Sequence, residues 1–312
     1  MASRVASLGN DKEIRIWNAE SGDVLSTTSM QTDPTSMGSL LCCSRDGNWL
    51  AASRGFSISI WNLKVDDTLE LIQTIDSVRI DSCRSYIKSL CLAFNGNHIV
   101  AGRRNGYLCK WDVNSSELCW SHNAHNDQAI SAVDISFDSA LIVSGDWDGL
   151  IRLCYAETGE EICRFRKHSD MIKSIQFNPD ASKFASCSAD RTIRIWDAIH
   201  LEEVMVLKEF GSCVNCLSYS YDGTRLVSAA DTLVHVWDME SGACVFELLG
   251  HRRQVHSVSF SGSESRVIVS GGCDELCILW DSVSGCEIQR VEGMPPGDVC
   301  TIPTIVSEYL LK

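Results

Sequence analysis

The stretch Cys187–Asp197 reads C-S-A-D-R-T-I-R-I-W-D and has the pattern of a β-hairpin. Apolar and polar residues alternate on both sides of a tight polar turn, and such alternation is typical of half-buried strands. Ser186 precedes the stretch and His168 lies upstream of it. A buried indole N–H and a buried hydroxyl need partners, and an Asp–His pair can complete such a chain of hydrogen bonds. We therefore expect a structural tetrad of His168, Ser186, Asp190 and Trp196.

The same hairpin recurs along the chain at a nearly constant interval. The residues at the position of Trp196 are Trp17, Trp61, Trp111, Cys154, Trp196, Trp237 and Trp280, and successive copies lie 44, 50, 43, 42, 41 and 43 residues apart. This recurrence resembles the WD40 repeat family, whose repeats of about 40–45 residues each form a four-stranded blade. The resemblance implies an all-β fold, a single seven-bladed β-propeller that covers residues 1–312.

The alignment of the copies divides the chain into seven blades. Blade 1 comprises 1–30 plus 297–306, blade 2 36–75, blade 3 84–121, blade 4 127–166, blade 5 170–209, blade 6 212–249 and blade 7 253–292. The 50-residue spacing predicts an insertion near Thr74 to Arg84.

The two chain ends complement each other in this alignment. Blade 1 lacks an innermost strand, and Val299–Ile302 aligns with the inner strand of blade 7 at Val255–Val258. We therefore predict that a C-terminal inner strand joins the N-terminal blade and closes the ring, which removes exposed sheet edges. The resemblance implies a different closure in most relatives, in which an N-terminal outer strand completes the last blade. An alternative is that the chain is a fragment or splice form with a disordered tail.

The tetrad is distributed unevenly among the blades. Blade 7 has a complete set, namely His251, Ser270, Asp274 and Trp280. Blade 4 has His125, Ser144 and Asp148 but Cys154 in the tryptophan position, and blade 6 has Ser228, Asp231 and Trp237 but Ser212 in place of histidine. Blades 2 and 3 have Ala51 and Ala101 for serine and Gly55 and Asn105 for aspartate. We expect these two blades to be softer, by roughly one to a few kcal/mol for each missing network.

Composition restricts the classes of partner. The formal net charge is −14, which argues against nucleic acid or an anionic membrane as the main partner, since both require clustered Lys and Arg. The sequence contains neither an apolar run long enough to span a membrane nor an apolar N-terminal signal region. Sixteen cysteines without such a signal predict reduced thiols in the cytoplasm, with the nucleus as the alternative. The C-x-x-C pair Cys213–Cys216 lacks the second pair of a zinc site.

Catalytic motifs are missing from the sequence. Glycine-rich phosphate loops, H-E-x-x-H and the G-x-S-x-G elbow do not occur. The tetrad has the residue types of a hydrolase triad, but a set that recurs with each hairpin is more simply structural. His122 and His125 could together ligate a metal, although His125 already has a structural place. We therefore predict no catalytic residue, no cofactor and no metal.

The surface remains as the place of function. The resemblance implies that partner peptides dock on the face that carries the turn before the tetrad aspartate. The candidate partner-binding residues on this face are Arg54, Arg84, Tyr86, Arg104, Trp147, Arg252 and Arg253. Arginine and aromatic residues are common interface anchors, and on an acidic chain they favour an acidic or phosphorylated partner segment. The alternative is that these are ordinary solvated loop residues, with Trp147 folded onto its own blade.

The expected function is a non-enzymatic protein-interaction scaffold, a monomeric propeller within a larger complex. The alternative is a substrate-recruiting or regulatory subunit of a multi-protein enzyme complex, for example a ubiquitin-ligase receptor. A third possibility, an enzyme with its site in the channel, would need carboxylates or histidines lining the pore. These functional expectations depend on family resemblance more than on any single motif.

Overall fold

The structure is a computed structural model, and it describes residues 4–9, 13–18, 21–30, 39–44, 46–64, 66–76, 85–208, 211–261, 265–292 and 297–302. Within these ranges the chain contains strands and turns but no helix. The strands form seven antiparallel four-stranded sheets, each of which is one blade of a seven-bladed β-propeller. The predicted fold class is therefore confirmed. No helix in this described part of the chain is long and apolar enough to cross a membrane.

The strands follow one another from the channel outward in most blades. Blade 1 contains β1 (Arg4–Gly9), β2 (Glu13–Asn18), β3 (Val24–Ser29) and the last strand of the chain, β28 (Gly297–Ile302). Blade 2 contains β4 (Ser39–Cys43), β5 (Trp49–Arg54), β6 (Ser57–Leu63) and β7 (Leu69–Asp76). Blade 3 contains β8 (Ile87–Leu92), β9 (His98–Arg103), β10 (Tyr107–Asp112) and β11 (Leu118–Asn123).

The other four blades have the same plan. Blade 4 contains β12 (Ile130–Ile135), β13 (Leu141–Asp146), β14 (Leu150–Tyr155) and β15 (Glu161–Arg166). Blade 5 contains β16 (Ile172–Phe177), β17 (Lys183–Ser188), β18 (Thr192–Asp197) and β19 (Glu202–Lys208). Blade 6 contains β20 (Val214–Tyr219), β21 (Arg225–Ala230), β22 (Leu233–Asp238) and β23 (Cys244–Leu249). Blade 7 contains β24 (Val255–Ser261), β25 (Val267–Gly272), β26 (Leu276–Asp281) and β27 (Glu287–Glu292).

The ring closes within blade 1. Strand β28 pairs antiparallel with β1, so that Arg4 lies opposite Ile302 and Ser7 lies opposite Val299. The predicted closure by a C-terminal inner strand is confirmed. Strand β28 also lies against β24 and β4, the inner strands of the two neighbouring blades. The pairing of the chain ends thus completes both the sheet of blade 1 and the ring.

The core lies between the blades, because each blade is apolar on both faces. The cluster between blades 4 and 5 joins Val143 and Ile151 to Phe177, Phe184 and Trp196. Full burial of one large apolar side chain contributes roughly 1.5–3 kcal/mol. Since no blade can bury its two faces alone, the hydrophobic pattern requires neighbours on each side.

The burial of a cysteine depends on which strand of the blade carries it. Every cysteine whose side chain is described is a free thiol. Cys109, Cys187 and Cys277 are fully buried in second and third strands, and burial raises the pKa of Cys277 to about 12. Cys91 and Cys216 are only half-buried, because inner strands face the channel. Burial also raises the pKa of Cys91, because an apolar environment disfavours the thiolate form.

Candidate interaction face and the polar sets beneath it

The tetrad of blade 5 forms a continuous hydrogen-bond chain. The Trp196 indole N–H donates to Ser186 Oγ at 2.8 Å, and His168 Nε2 lies 2.8 Å from the same hydroxyl. His168 Nδ1 lies 2.8 Å from Asp190 Oδ2. Because an ionised carboxylate only accepts, Nδ1–H donates to Asp190, and Nε2 accepts a hydrogen bond from the Ser186 hydroxyl. The chain links the hairpin of blade 5 to the segment that enters the blade.

The blade 7 tetrad repeats this arrangement. The Trp280 indole donates to Ser270 Oγ at 2.9 Å, His251 Nε2 lies 2.8 Å from the same oxygen, and His251 Nδ1 lies 3.0 Å from Asp274 Oδ1. Burial alone would raise the pKa of Asp274, but the hydrogen bond from the Arg252 amide and the contact with His251 outweigh burial and lower it. The pKa of Asp190 is lowered for the same kind of reason, against a large opposing effect of burial, by His168 and Thr192.

Blade 4 uses a different aspartate from the one predicted. His125 Nδ1 lies 2.7 Å from Asp146 Oδ2 and His125 Nε2 lies 2.8 Å from Ser144 Oγ. Asp148, the sequence-based choice, is exposed in the turn, and its amide donates to Asp146 Oδ1 at 2.9 Å. The prediction of Asp148 is wrong because alignment by spacing ignored a second carboxylate at the end of β13. That carboxylate also caps the turn by accepting from the Leu150 amide at 2.9 Å.

Blades 1 and 6 keep the tryptophan–serine half of the set. The Trp17 indole donates to Ser7 Oγ at 2.8 Å, and the Trp237 indole donates to Ser228 Oγ at 2.9 Å. Asp231, predicted as the aspartate of blade 6, contributes its backbone carbonyl, which accepts from the Val255 amide at 2.7 Å.

Blade 3 replaces the set with an arginine. Ala101 is fully buried in the serine position, and the buried Trp111 indole N–H has no hydrogen-bond partner among the described residues. The guanidinium of Arg103, which is also fully buried, lies over the Trp111 ring at 5.7 Å from its centroid. A cation–π contact of this kind contributes about 0.5–2 kcal/mol. The sequence offered no signal for it beyond an arginine at the end of a strand pattern.

The tetrads have the wrong accessibility for catalysis. The tetrad serines Ser186 and Ser270 are fully buried, and each already accepts from an indole N–H, so a substrate could not reach either hydroxyl as a nucleophile. His122, the proposed partner of His125 in a metal pair, contacts the Thr158 carbonyl at 3.0 Å. The described residues contain no group of three or more His, Cys, Asp or Glu side chains placed to hold a metal.

The described candidates Tyr86, Arg104, Trp147, Arg252 and Arg253 lie in turns or entering segments at one end of the propeller. The turns that carry Arg104, Trp147, Ala189 and Cys273 each donate a backbone N–H to the segment that enters their own blade, at 2.8–3.1 Å. We call this end, with those turns and the entering segments, the turn face. Because the same bond recurs in blades 3, 4, 5 and 7, these turns share one orientation relative to the ring.

Arg104 projects from a firmly held turn. Its amide donates to the Tyr86 carbonyl at 2.9 Å, and the next amide donates to Ser85 Oγ at 3.0 Å. The His125 amide of blade 4 donates to the Gly106 carbonyl at 3.0 Å. Gly106 has φ +81°, and a Cβ there would lie 2.7 Å from the backbone of the blade 4 loop. The Arg104 side chain itself is exposed, so a cationic group projects into solvent from a well-held turn.

Trp147 is exposed on the neighbouring blade. The residue is 45% accessible, so just over half of its surface is covered and the rest is open to a partner. Tyr86 is half-buried instead, because its ring stacks on Phe56 of blade 2 at 4.6 Å and 13°. Phe56 was not among the sequence candidates, although an aromatic residue in a four-residue turn was a signal for it.

Two of the remaining candidates lie on blade 7, away from Arg104 and Trp147, and the side chains of the other two are not described. Arg252 and Arg253 are exposed at the entrance to blade 7, and the Arg252 amide donates to Asp274 Oδ2 at 2.8 Å. Blade 1 separates them from blades 2 to 4. Arg54 ends β5, but its side chain lies outside the described residues, as does the whole of Arg84.

A thiol–imidazole pair on the turn face escaped sequence reasoning. His256 Nε2 lies 2.9 Å from Cys273 Sγ in blade 7. Burial, and then the charge of Lys173 from blade 5, lower the pKa of His256. Residues 17 positions apart come together here because β24 and β25 pair, which alignment of the blades could have indicated.

Comparisons with known proteins agree with this architecture. The family model "WD domain, G-beta repeat" matches residues 116–154, 159–197, 201–238 and 242–281, which together make up half of the chain. Transducin beta-like protein 3 of Bos taurus is 27% identical over 193 residues, which are 60% of this chain and 24% of the relative. Serine-threonine kinase receptor-associated protein of Dictyostelium discoideum is 29% identical over 162 residues, 50% of this chain and 55% of the relative.

A third relative is the U3 small nucleolar RNA-associated protein 15 homolog of Xenopus tropicalis. It is 30% identical over 178 residues, which are 56% of this chain and 34% of the relative. The matched part of the chain thus spans less than two thirds of the length of each of these relatives. The four repeat matches and the seven-bladed ring lead to one conclusion: the chain belongs to the WD40-repeat family of β-propellers.

Proposed function

We propose that this protein is a non-enzymatic scaffold that binds partner proteins on the turn face. The observation that carries the proposal is the pairing of an exposed tryptophan, Trp147, with an exposed arginine, Arg104, on adjacent blades. A side chain as apolar as Trp147 gains free energy when a partner covers it. Since hydrogen bonds within blade 3 and one from blade 4 already hold the turn of Arg104 in place, ordering of its backbone on binding costs little.

Basic residues on the turn face favour an acidic or phosphorylated partner segment. Arg104 is exposed, and Lys88 and Lys173 are half-buried at the second position of their inner strands, beside the mouth of the channel. Asp148, by contrast, is exposed next to Trp147. We therefore place the acidic or phosphorylated group of the partner over blade 3 and its apolar anchor over blade 4. Arginine suits such a group because its guanidinium binds carboxylate or phosphate with two parallel hydrogen bonds.

The names of two relatives favour a subunit of a larger complex as the second candidate function. One is named for association with a kinase receptor and the other for association with a small nucleolar RNA. In this version the propeller recruits a substrate or regulator to an enzyme, as a ubiquitin-ligase receptor does. The second name also favours a nuclear location, while the cytoplasmic location and the lack of nucleic acid in the complex stay predictions. Imaging of the tagged protein, and capture with and without ribonuclease, decide these points.

Affinity capture with the double variant Arg104→Ala/Trp147→Ala tests the scaffold proposal. We expect loss of the main captured partner, while the melting temperature stays within about 2 °C of the wild type, since both side chains are exposed. Phosphatase treatment and raised salt should weaken capture by the wild type, because both reduce charge attraction. Undiminished capture by the double variant would contradict the turn face as the binding site.

The matched control is Tyr155→Ala/Arg266→Ala. Tyr155 is 53% accessible at the far end of β14, and Arg266 is exposed just before β25, in a connection at the same far end of the propeller. This control removes one aromatic ring and one arginine, as the test variant does, but away from the turn face. We expect it to capture the partner as the wild type does.

A further inference from the structure

Blade 4 contains a cavity where the other six blades have a tryptophan. The cavity has a volume of about 130 Å³ and lies between β10 and the end of β11 on one side and β13 and β14 on the other. Its lining includes Leu108, His122, Ser144, Arg152 and Cys154. His122 and the nearby Glu161 are exposed, so the cavity opens at the rim of the propeller between blades 3 and 4.

The equivalent positions show what this space accommodates. In blades 1, 5, 6 and 7 the third-strand tryptophan donates its indole N–H to the second-strand serine at 2.8–2.9 Å. In blade 4 the serine is kept as Ser144 and still contacts His125, but Cys154 replaces the indole. The Ser144 hydroxyl oxygen can therefore accept one more hydrogen bond, at the position where the four other serines accept from an indole N–H.

A neighbouring residue fills only part of the space. Trp120 of β11 is buried against the cluster that contains Cys154, and its indole donates to the Ala156 carbonyl at 3.1 Å rather than to Ser144. A Cβ on Gly159 would lie 3.0 Å from the Trp120 ring, which shows how closely this tryptophan fits under the blade 4 loop. The cavity persists beside it, and Trp120 does not line it.

We propose that this cavity is a binding site for an aromatic ring that carries one N–H donor, with indole as the representative ligand. The ring would contact Leu108 and the Cys154 thiol, and its N–H would donate to Ser144 Oγ. A cavity of about 150 Å³ is known to hold a benzene ring, so the volume suits a ring whose edge remains at the open rim. The site is distinct from the turn face, and the proposal does not depend on the proposed function.

Two natural sources share this chemistry, namely a free indole and a tryptophan side chain of a partner. Thermal shift with indole and with N-acetyl-L-tryptophanamide distinguishes them. If both compounds stabilise the protein, the site accepts a side chain attached to a backbone. If only indole does, the site accepts the free ring. At about ten times its dissociation constant, a ligand should raise the melting temperature by roughly 2 °C.

The variant Cys154→Trp fills the cavity with the side chain of the other blades. We expect it to abolish the indole-induced shift and to raise the melting temperature of the unliganded protein. Cys154→Leu fills the cavity less fully and serves if Trp120 prevents the larger residue from fitting. Cys119→Trp is the matched control, because Cys119 is exposed on the outer strand of blade 3 and a tryptophan there leaves the cavity empty.

Indene tests the hydrogen bond to Ser144, because it has the shape of indole without the N–H. We expect indole to bind roughly tenfold more tightly than indene, the ratio that one net hydrogen bond provides. Equal binding of the two would overturn the assignment of the donor site. Equal indole shifts in the wild type and in both Cys154 variants, or no shift in the wild type, would overturn the proposal as a whole.

Discussion

Blades 5 and 3 reach the same four-stranded structure with different interiors. In blade 5, Trp196 is held through Ser186 and His168 to a carboxylate. In blade 3, Trp111 is equally buried, but its indole N–H has no hydrogen-bond partner in the described part of the chain, and the Arg103 guanidinium lies over its ring. Both blades keep four antiparallel strands, so apolar packing between blades is sufficient for the architecture. The hydrogen-bond chain of blade 5 adds stability beyond this packing. We therefore expect blade 5 to have a higher free energy of local unfolding than blade 3.

Removal of the central hydroxyl in blade 5 is the most severe test. Ser186→Ala leaves both the buried Trp196 N–H and the buried His168 nitrogen without a partner, and each such loss costs about 1–3 kcal/mol. We expect the free energy of unfolding in urea to fall by about 3 kcal/mol. Ser53→Ala in blade 2 is the control, because Ser53 is equally buried and its hydroxyl makes no hydrogen bond to any described residue. Similar losses in the two variants would show that the tetrad does not fasten blade 5.

The carboxylate of blade 5 makes the stability contributed by the tetrad sensitive to acid. Asp190 has a pKa below its ordinary value of about 3.9 in the folded protein. Its contribution is therefore present above that pH and is lost as the pH falls further. We expect Asp190→Asn to cost about 2 kcal/mol at pH 7, and we expect this cost to shrink as the pH falls below about 4.

Blade 4 supplies the matched pair of controls for the acid test. Asp146→Asn removes the carboxylate that contacts His125 and should also destabilise the protein at pH 7. Asp148→Asn changes only an exposed turn residue and should have little effect. Calorimetric unfolding from pH 3 to 7 measures all three. A larger cost for the Asp148 variant than for the Asp146 variant would contradict the geometry of blade 4.

Blade 3 allows the opposite change, the partial construction of a network. Ala101→Ser places a hydroxyl where Ser186 stands in blade 5, within reach of the Trp111 indole. We expect a gain of about 1 kcal/mol in the free energy of unfolding, the usual net value of one hydrogen bond. The same change in a Trp111→Phe background has no N–H to satisfy and should give no gain. A gain of equal size in both backgrounds would assign the effect to something other than the indole.

The sequence predicted the repeated parts of the molecule and failed where one blade departs from the others. The 41–50-residue recurrence of the tryptophan position was enough for seven blades, and alignment of Val299–Ile302 with an inner strand was enough for the closure. Asp146 was missed because spacing cannot tell which of two carboxylates in one turn faces a histidine. Two further features are the cation–π contact of Arg103 with Trp111 and the stacking of Phe56 on Tyr86. Both depend on contacts between strands or between blades, which periodicity does not specify.

Hydrogen exchange followed residue by residue in the native protein tests the central claim that the tetrads fasten their blades. Amides of β17 and β18 should exchange at least about tenfold more slowly than those of β9 and β10, since a difference of about 1.4 kcal/mol in opening free energy corresponds to a factor of ten. Ser186→Ala should bring the two blades to similar rates. Equal protection of both blades in the wild-type protein, or stronger protection of blade 3, would contradict the account.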